Sequence, residues 1–179
     1  CTVVVPRELR RDDALRLVEE CDFHITRLQR LLRVEPTETA RPRVVAYFFR
    51  SGTEKKRLMG ADNVLIAKPW RREVYLQLQG YPHPILPHEL AHVVSGELAR
   101  APFYIAASFH GLLPNPGLIE GIAVATAWDS PEGMTPHEWA RAMLELDGLP
   151  PLRDVFSLKF STLSARPAYS TAGSFVRYW

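Results

Sequence analysis

The chain has 179 residues, 46% of them hydrophobic and 23% charged, with a formal net charge of +2. That size suits one domain, and a chain this long buries enough surface to hold a core without staples. The composition excludes a disordered tail, a collagen-like fibre and a disulfide-dense mini-protein, and no apolar run approaches the ~20 residues of a membrane-spanning helix. The charge is uneven. Residues 1–86 carry 16 Lys and Arg against 11 Asp and Glu, and residues 87–179 carry 6 against 9. A net +5 on the first half reads as a solvated basic face, not as a nucleic-acid surface.

The two cysteines, Cys1 and Cys21, allow one disulfide or two free thiols and leave the compartment open. The chain starts at Cys1 without a methionine and ends on the apolar, uncapped run Ser174 to Trp179. It therefore reads as a piece of a longer protein, whose flanks could hold a signal peptide or membrane helices.

Taken in chain order, Thr2 to Val5 reads as a strand ended by Pro6. A helix capped by Asp12 or Asp13 follows and runs to about Leu32, its apolar face being Leu15, Val18, Cys21, Ile25, Leu28 and Leu32. Val44 to Phe49 is apolar throughout and reads as a central strand. Ser51 to Leu58 is a short polar helix or turn. Val64 to Ala67 and Glu73 to Leu78 are two further strands, joined by a solvated turn at Arg71-Arg72. The second alternates, with Val74, Leu76 and Leu78 on one face and Tyr75, Gln77 and Gln79 on the other. Beyond residue 80 no strand is expected. Helices are predicted at about 85–98, 116–128 and 167–179, with a turn of helix at 152–156. Another opens on the capping box Thr135-Pro136-His137-Glu138. Strands followed by segregated helices define an α+β class: a β-rich part over 1–80, a helical part over 81–179, within one domain.

His88-Glu89-Leu90-Ala91-His92 carries the chemistry. On a helix, positions i and i+4 share a face about 6 Å apart, so two imidazoles reach one metal ion. Glu89 flanks that face, and its carboxylate can act as a general base on water at the metal. The pattern arises by chance in roughly one shuffled chain of this composition in seventy. The neighbours Leu86, Leu90, Val93 and Val94 make the helix mostly buried, where two histidines and a glutamate need partners. A catalytic zinc takes three protein ligands and keeps one position open. A third His in the metzincin spacing would fall on Leu98, so that class fails. Glu120 is the alternative, a carboxylate in the otherwise apolar stretch Gly117 to Ala123, where a lone charge is costly unless paired or bound to metal. A buried structural salt bridge is the competing role for Glu120. Trp128 and Trp139 read as core.

The His88 to His92 helix followed by Glu120-Gly121-Ile122-Ala123 resembles the gluzincin metallopeptidases, and more narrowly the bacterial peptidase-MA-like domains. The stretch Ala168 to Tyr178, reading A-Y-x-x-A-x-S-F-V-R-Y, is similar to a later helix of that family. With the β-rich first half, the resemblance spans nearly the whole chain. It implies a thermolysin-like catalytic domain and a zinc endopeptidase with Zn2+ on His88, His92 and Glu120. Glu89 would be its general base, and a peptide or protein its substrate. It also implies an oxyanion donor on a later helix, for which Tyr169 is the candidate, with His83 and His110 as alternatives. Substrate strands in such enzymes pair with an edge strand ahead of the zinc helix, here residues 73–79, and residues 110–115 would form a loop over the cleft. Val124 replaces the Asp of thermolysin-type enzymes, Ile119 replaces the Asn of aminopeptidases, and no G-x-M-E-N motif occurs. Cleavage of free N-termini is therefore not implied. Two other classes compete: a zinc-binding module without catalysis, acting as a binding or scaffold domain of a larger membrane or envelope protein, and a metal hydrolase acting on something other than peptides.

Overall fold

Hydrophobic patterning sets the elements of the first half. A computed structural model describes residues 1–34, 42–60, 66–109, 113–127 and 133–179. The chain divides into two compact units, Cys1–Val94 and Ser95–Trp179. The class is α+β, with a small mixed sheet and a majority of helix. No helix among the described residues is long and apolar enough to cross a membrane.

The first unit holds β1 (Thr2–Val4), α1 (Arg11–Leu32), β2 (Val45–Phe49), α2 (Gly52–Met59), β3 (Ile66–Lys68), β4 (Glu73–Gln77) and most of α3 (Leu86–Ser95). The strands form one sheet in the order β1-β2-β4-β3. β1, β2 and β4 run parallel, and β3 lies antiparallel to β4. The register puts Ala46, Phe48, Val74 and Leu76 on one face, each at most 3% exposed. At roughly 1.5–3 kcal/mol for each fully buried large apolar side chain, this face holds the sheet. The opposite face carries Tyr47 stacked on Tyr75, with Lys68 over the Tyr75 ring. The alternation expected for residues 73–78 is present over Glu73–Gln77, with residues of both faces buried. The strand is not an edge, however. Over Glu73–Tyr75 it pairs with β2 on one side and β3 on the other, so its main chain there is already used and cannot take up a substrate strand. Val64 and Leu65, read as part of the preceding strand, lie outside the described residues.

Two expectations for α1 need correction. The helix starts before Asp12, with Arg10 at the N-cap, and Asp13 instead ties back to Arg10 at 2.8 Å. Its buried stripe is Leu17, Glu20, Cys21, His24 and Leu28, while Leu15 is 50% exposed. The apolar spacing misplaced the stripe because two of its five members are polar. The Cys1 and Cys21 sulfurs are joined in a disulfide, with the Cα atoms 6.1 Å apart, which fixes the chain start to α1.

The second unit contains a small antiparallel pair, β5 (Ser108–Phe109) with β6 (Leu113–Pro114), where only helices were expected. Strands of two residues fall below what sequence alternation reveals. Helices α4 (Pro116–Ala127), α5 (Pro136–Glu145), α6 (Leu152–Val155) and α7 (Ala165–Tyr178) complete it. The capping box forms as read: the Thr135 side chain accepts from the Glu138 amide at 3.2 Å, and the Thr135 amide donates to the Glu138 carboxylate at 2.6 Å. Trp139, read as core, is half-buried under Arg166, and Trp128 lies outside the described residues.

α4 and α7 pack closely because both are notched by glycine. A Cβ on Gly121 would stand 2.8 Å from the Ala172 carbonyl oxygen and from Val176 Cγ2, and one on Gly173 would stand 2.2 Å from Val124 Cγ1. In an exposed helix, Gly→Ala stabilises by about 1 kcal/mol. Here the clash is with backbone and reverses the sign. Gly121→Ala is expected to destabilise by about 1–3 kcal/mol, read as a lower urea midpoint at unchanged slope.

Candidate metal centre

α3 is buried almost all round. Leu86, Leu90, Ala91 and Val94 are fully buried, Val93 is 1% exposed and Glu89 5%. From Leu86 to Gly96, only His88 and His92 are half-exposed. The open stripe of an otherwise buried helix is therefore the i, i+4 histidine pair.

The two Nε2 atoms lie 3.2 Å apart, with the rings nearly perpendicular at 84°. Two nitrogens held 2.0–2.1 Å from one tetrahedral ion stand about 3.3 Å apart. The observed spacing fits that requirement. His88, His92 and Glu120 each offer one ligand atom, all within 4.8 Å of one another, and all three residues are half-buried. This donor set could hold a metal ion. Two neutral imidazoles and one carboxylate suit a borderline divalent ion. Glu89 lies in the first turn of α3, where the helix dipole favours a negative charge.

The start of α3 is set by His83, which is 2% exposed. Its Nδ1 accepts from the Leu86 amide at 3.1 Å and the Ile85 amide at 3.3 Å. Its Nε2 sits 2.9 Å from the Gln77 carbonyl and must donate to it. These partners require the neutral imidazole with the proton on Nε2. The ring also meets Phe48 edge-on, and the His83 amide donates to the Glu20 carboxylate at 2.7 Å. His83 was an alternative oxyanion donor; with both ring nitrogens engaged inside the protein it is not free for that role, and it serves as the cap of the ligand helix. Sequence reasoning missed this because His is an unusual cap. The only sequence signal is its position three residues ahead of Leu86. His110 lies outside the described residues, as does part of the expected 110–115 loop. Tyr169 is half-buried on α7, with its ring against Phe160 at 5.3 Å.

No family model, curated protein or solved structure matches this chain.

Two outcomes follow. Burial pushes the His83 imidazole below its usual pKa, outweighing the opposing effect of its hydrogen bonds. The unfolded chain therefore takes up a proton that the folded one refuses, and this stabilisation is whole above about pH 6.5 and drains away as pH falls toward the lowered folded value. Urea midpoints at pH 7.5 and 5.5 should fall more for wild type than for His83→Ala. His83→Ala should lose roughly 1–2 kcal/mol at pH 7.5. For the metal group, elemental analysis should find about one divalent ion per chain after loading and dialysis. His88→Ala and Glu120→Ala should each lose it, and retention by both variants would refute the ligand set.

Proposed function

We propose that this chain is a zinc-dependent metallopeptidase domain of gluzincin type, with a thermolysin-like arrangement of His88, His92 and Glu120 as ligands. The observation that carries the reading is the histidine pair. It occupies the only half-exposed positions between Leu86 and Gly96, at the spacing one tetrahedral ion requires, with Glu89 between them in sequence. A purely structural zinc site is normally closed by four protein ligands, whereas the set found among the described residues has three, the number a catalytic zinc takes when its fourth position is left for water.

When bound, zinc supplies a Lewis acid that makes water a nucleophile near neutral pH. Glu89 accepts the proton of the attacking water and returns it to the leaving amine, so it ends each turnover as it began. Tyr169 is proposed as the donor to the carbonyl oxygen as negative charge develops there. That assignment rests on the likeness of Ala168 to Tyr178 to the family's later helix. An extended peptide or unfolded protein is the proposed substrate. The Cys1–Cys21 disulfide supports an extracytoplasmic setting, because such bonds persist in oxidising compartments.

The test is hydrolysis of casein and of a quenched fluorescent peptide library by the zinc-loaded chain. Glu89→Gln should keep its zinc and lose about 10²–10⁴-fold in kcat. Turnover by Glu89→Gln equal to wild type, or no turnover by zinc-loaded wild type, would sink the reading.

A further inference from the structure

Lys55 is the largest fully buried side chain of the described residues, with no exposure to solvent. Lysine is almost never wholly buried without a counter-charge. Lys55 sits on α2, an eight-residue helix capped at both ends. Ser51 accepts from the Glu54 amide at its start, and Gly60, with φ 78°, closes its end. The lysine is thus held on a fixed element.

The topology places that element at the same end of the sheet as the start of the ligand helix. β2 and β4 are parallel neighbours, so both run out at the same end of the sheet. α2 leaves β2 there, and α3 follows β4 from the same end. Both belong to the first unit. Glu89, in the first turn of α3, is 5% exposed, and its carboxylate is the charge that favours the Lys55 ammonium against the cost of burial. In a poorly hydrated setting such a pair attracts far more strongly than on the surface, and breaking it by removing one partner strands the other.

We propose that Lys55 is a positioning residue for Glu89, its buried ammonium fixing the carboxylate at the opening turn of α3. The role rests on the peptidase reading given above. A catalytic base must stand within hydrogen-bond reach of the proton it takes, and a misplacement of about 1 Å can cost a hundredfold in rate. The role of Lys55 is not contact with substrate. It acts through Glu89, by keeping one carboxylate geometry populated.

Two measurements test it. The first is a double-mutant cycle in urea unfolding with wild type, Lys55→Met, Glu89→Gln and the double variant. Each single variant strands a buried polar or charged partner, so the double variant should be much less destabilised than the sum of the two, with a coupling of at least tenfold in the unfolding constant. Additive effects would overturn the pairing. Should Lys55→Met fail to fold, the double variant should still fold because both charges leave together, and failure of both would count against the pair. The second is casein and quenched-peptide hydrolysis by folded, zinc-loaded Lys55→Met. The expected result is a kcat at least tenfold lower, with KM within twofold of wild type and zinc content unchanged. Wild-type kcat in that variant would overturn the positioning role while leaving the peptidase reading intact. An inactive wild type would overturn the peptidase reading and the positioning role with it, and the unfolding cycle would still decide whether the pair exists.

Discussion

The first unit is organised by a buried neutral imidazole. His83 joins four elements at once. It accepts the opening amides of α3, donates to the end of β4 at Gln77, meets Phe48 of β2, and through its amide reaches Glu20 of α1. A helix start leaves amides without partners, and a buried start cannot leave them so. His83 satisfies two of them while fixing the axis on which His88, Glu89 and His92 stand. Its proton must stay on Nε2, because a second proton on Nδ1 would face two N–H donors. A single tautomer therefore sets the rotational position of the ligand helix.

From that start, burial does the selecting. Leucine, alanine and valine fill the other sides of α3, leaving His88 and His92 as its partly open positions. A histidine pair aimed at solvent from a polar helix would be unremarkable. A pair left open on a helix otherwise packed away costs the core two apolar positions and demands a partner. Glu89 and Lys55 are buried as well, and the carboxylate of the first favours the ammonium of the second against the cost of its burial. In the second unit the same economy of space acts through glycine. Gly121 and Gly173 let α4 and α7 approach closely, and Glu120 precedes the first of these notches.

Local signals were the legible ones. The His88/His92 spacing, the Thr135 capping box, the apolar strand read at Val44–Phe49 and the alternation read at Glu73–Leu78 all depend on residues a few positions apart, and each appears, the two strands one residue shorter than read. Glu120 could be singled out because one carboxylate interrupts an apolar helix. α1 was misread for the reverse reason: Glu20 and His24 are polar and yet buried, so its apolar residues did not mark its inner face.

What the sequence by itself determined is the longer helices, the strands of the first unit, the α+β class and the i, i+4 geometry of the histidine pair, since helical pitch and side-chain alternation are local properties of the chain; the β5/β6 pair was not among them. Only the tertiary structure decided the strand order β1-β2-β4-β3, which makes residues 73–75 interior and closes them to strand addition. It alone converted His83 from a possible oxyanion donor into a cap, joined Cys1 to Cys21, and brought Lys55 under the influence of Glu89, thirty-four positions away. Those outcomes depend on strand pairing and burial between distant segments, whose energy is realised only when the whole unit is assembled, and no window of neighbouring residues contains it.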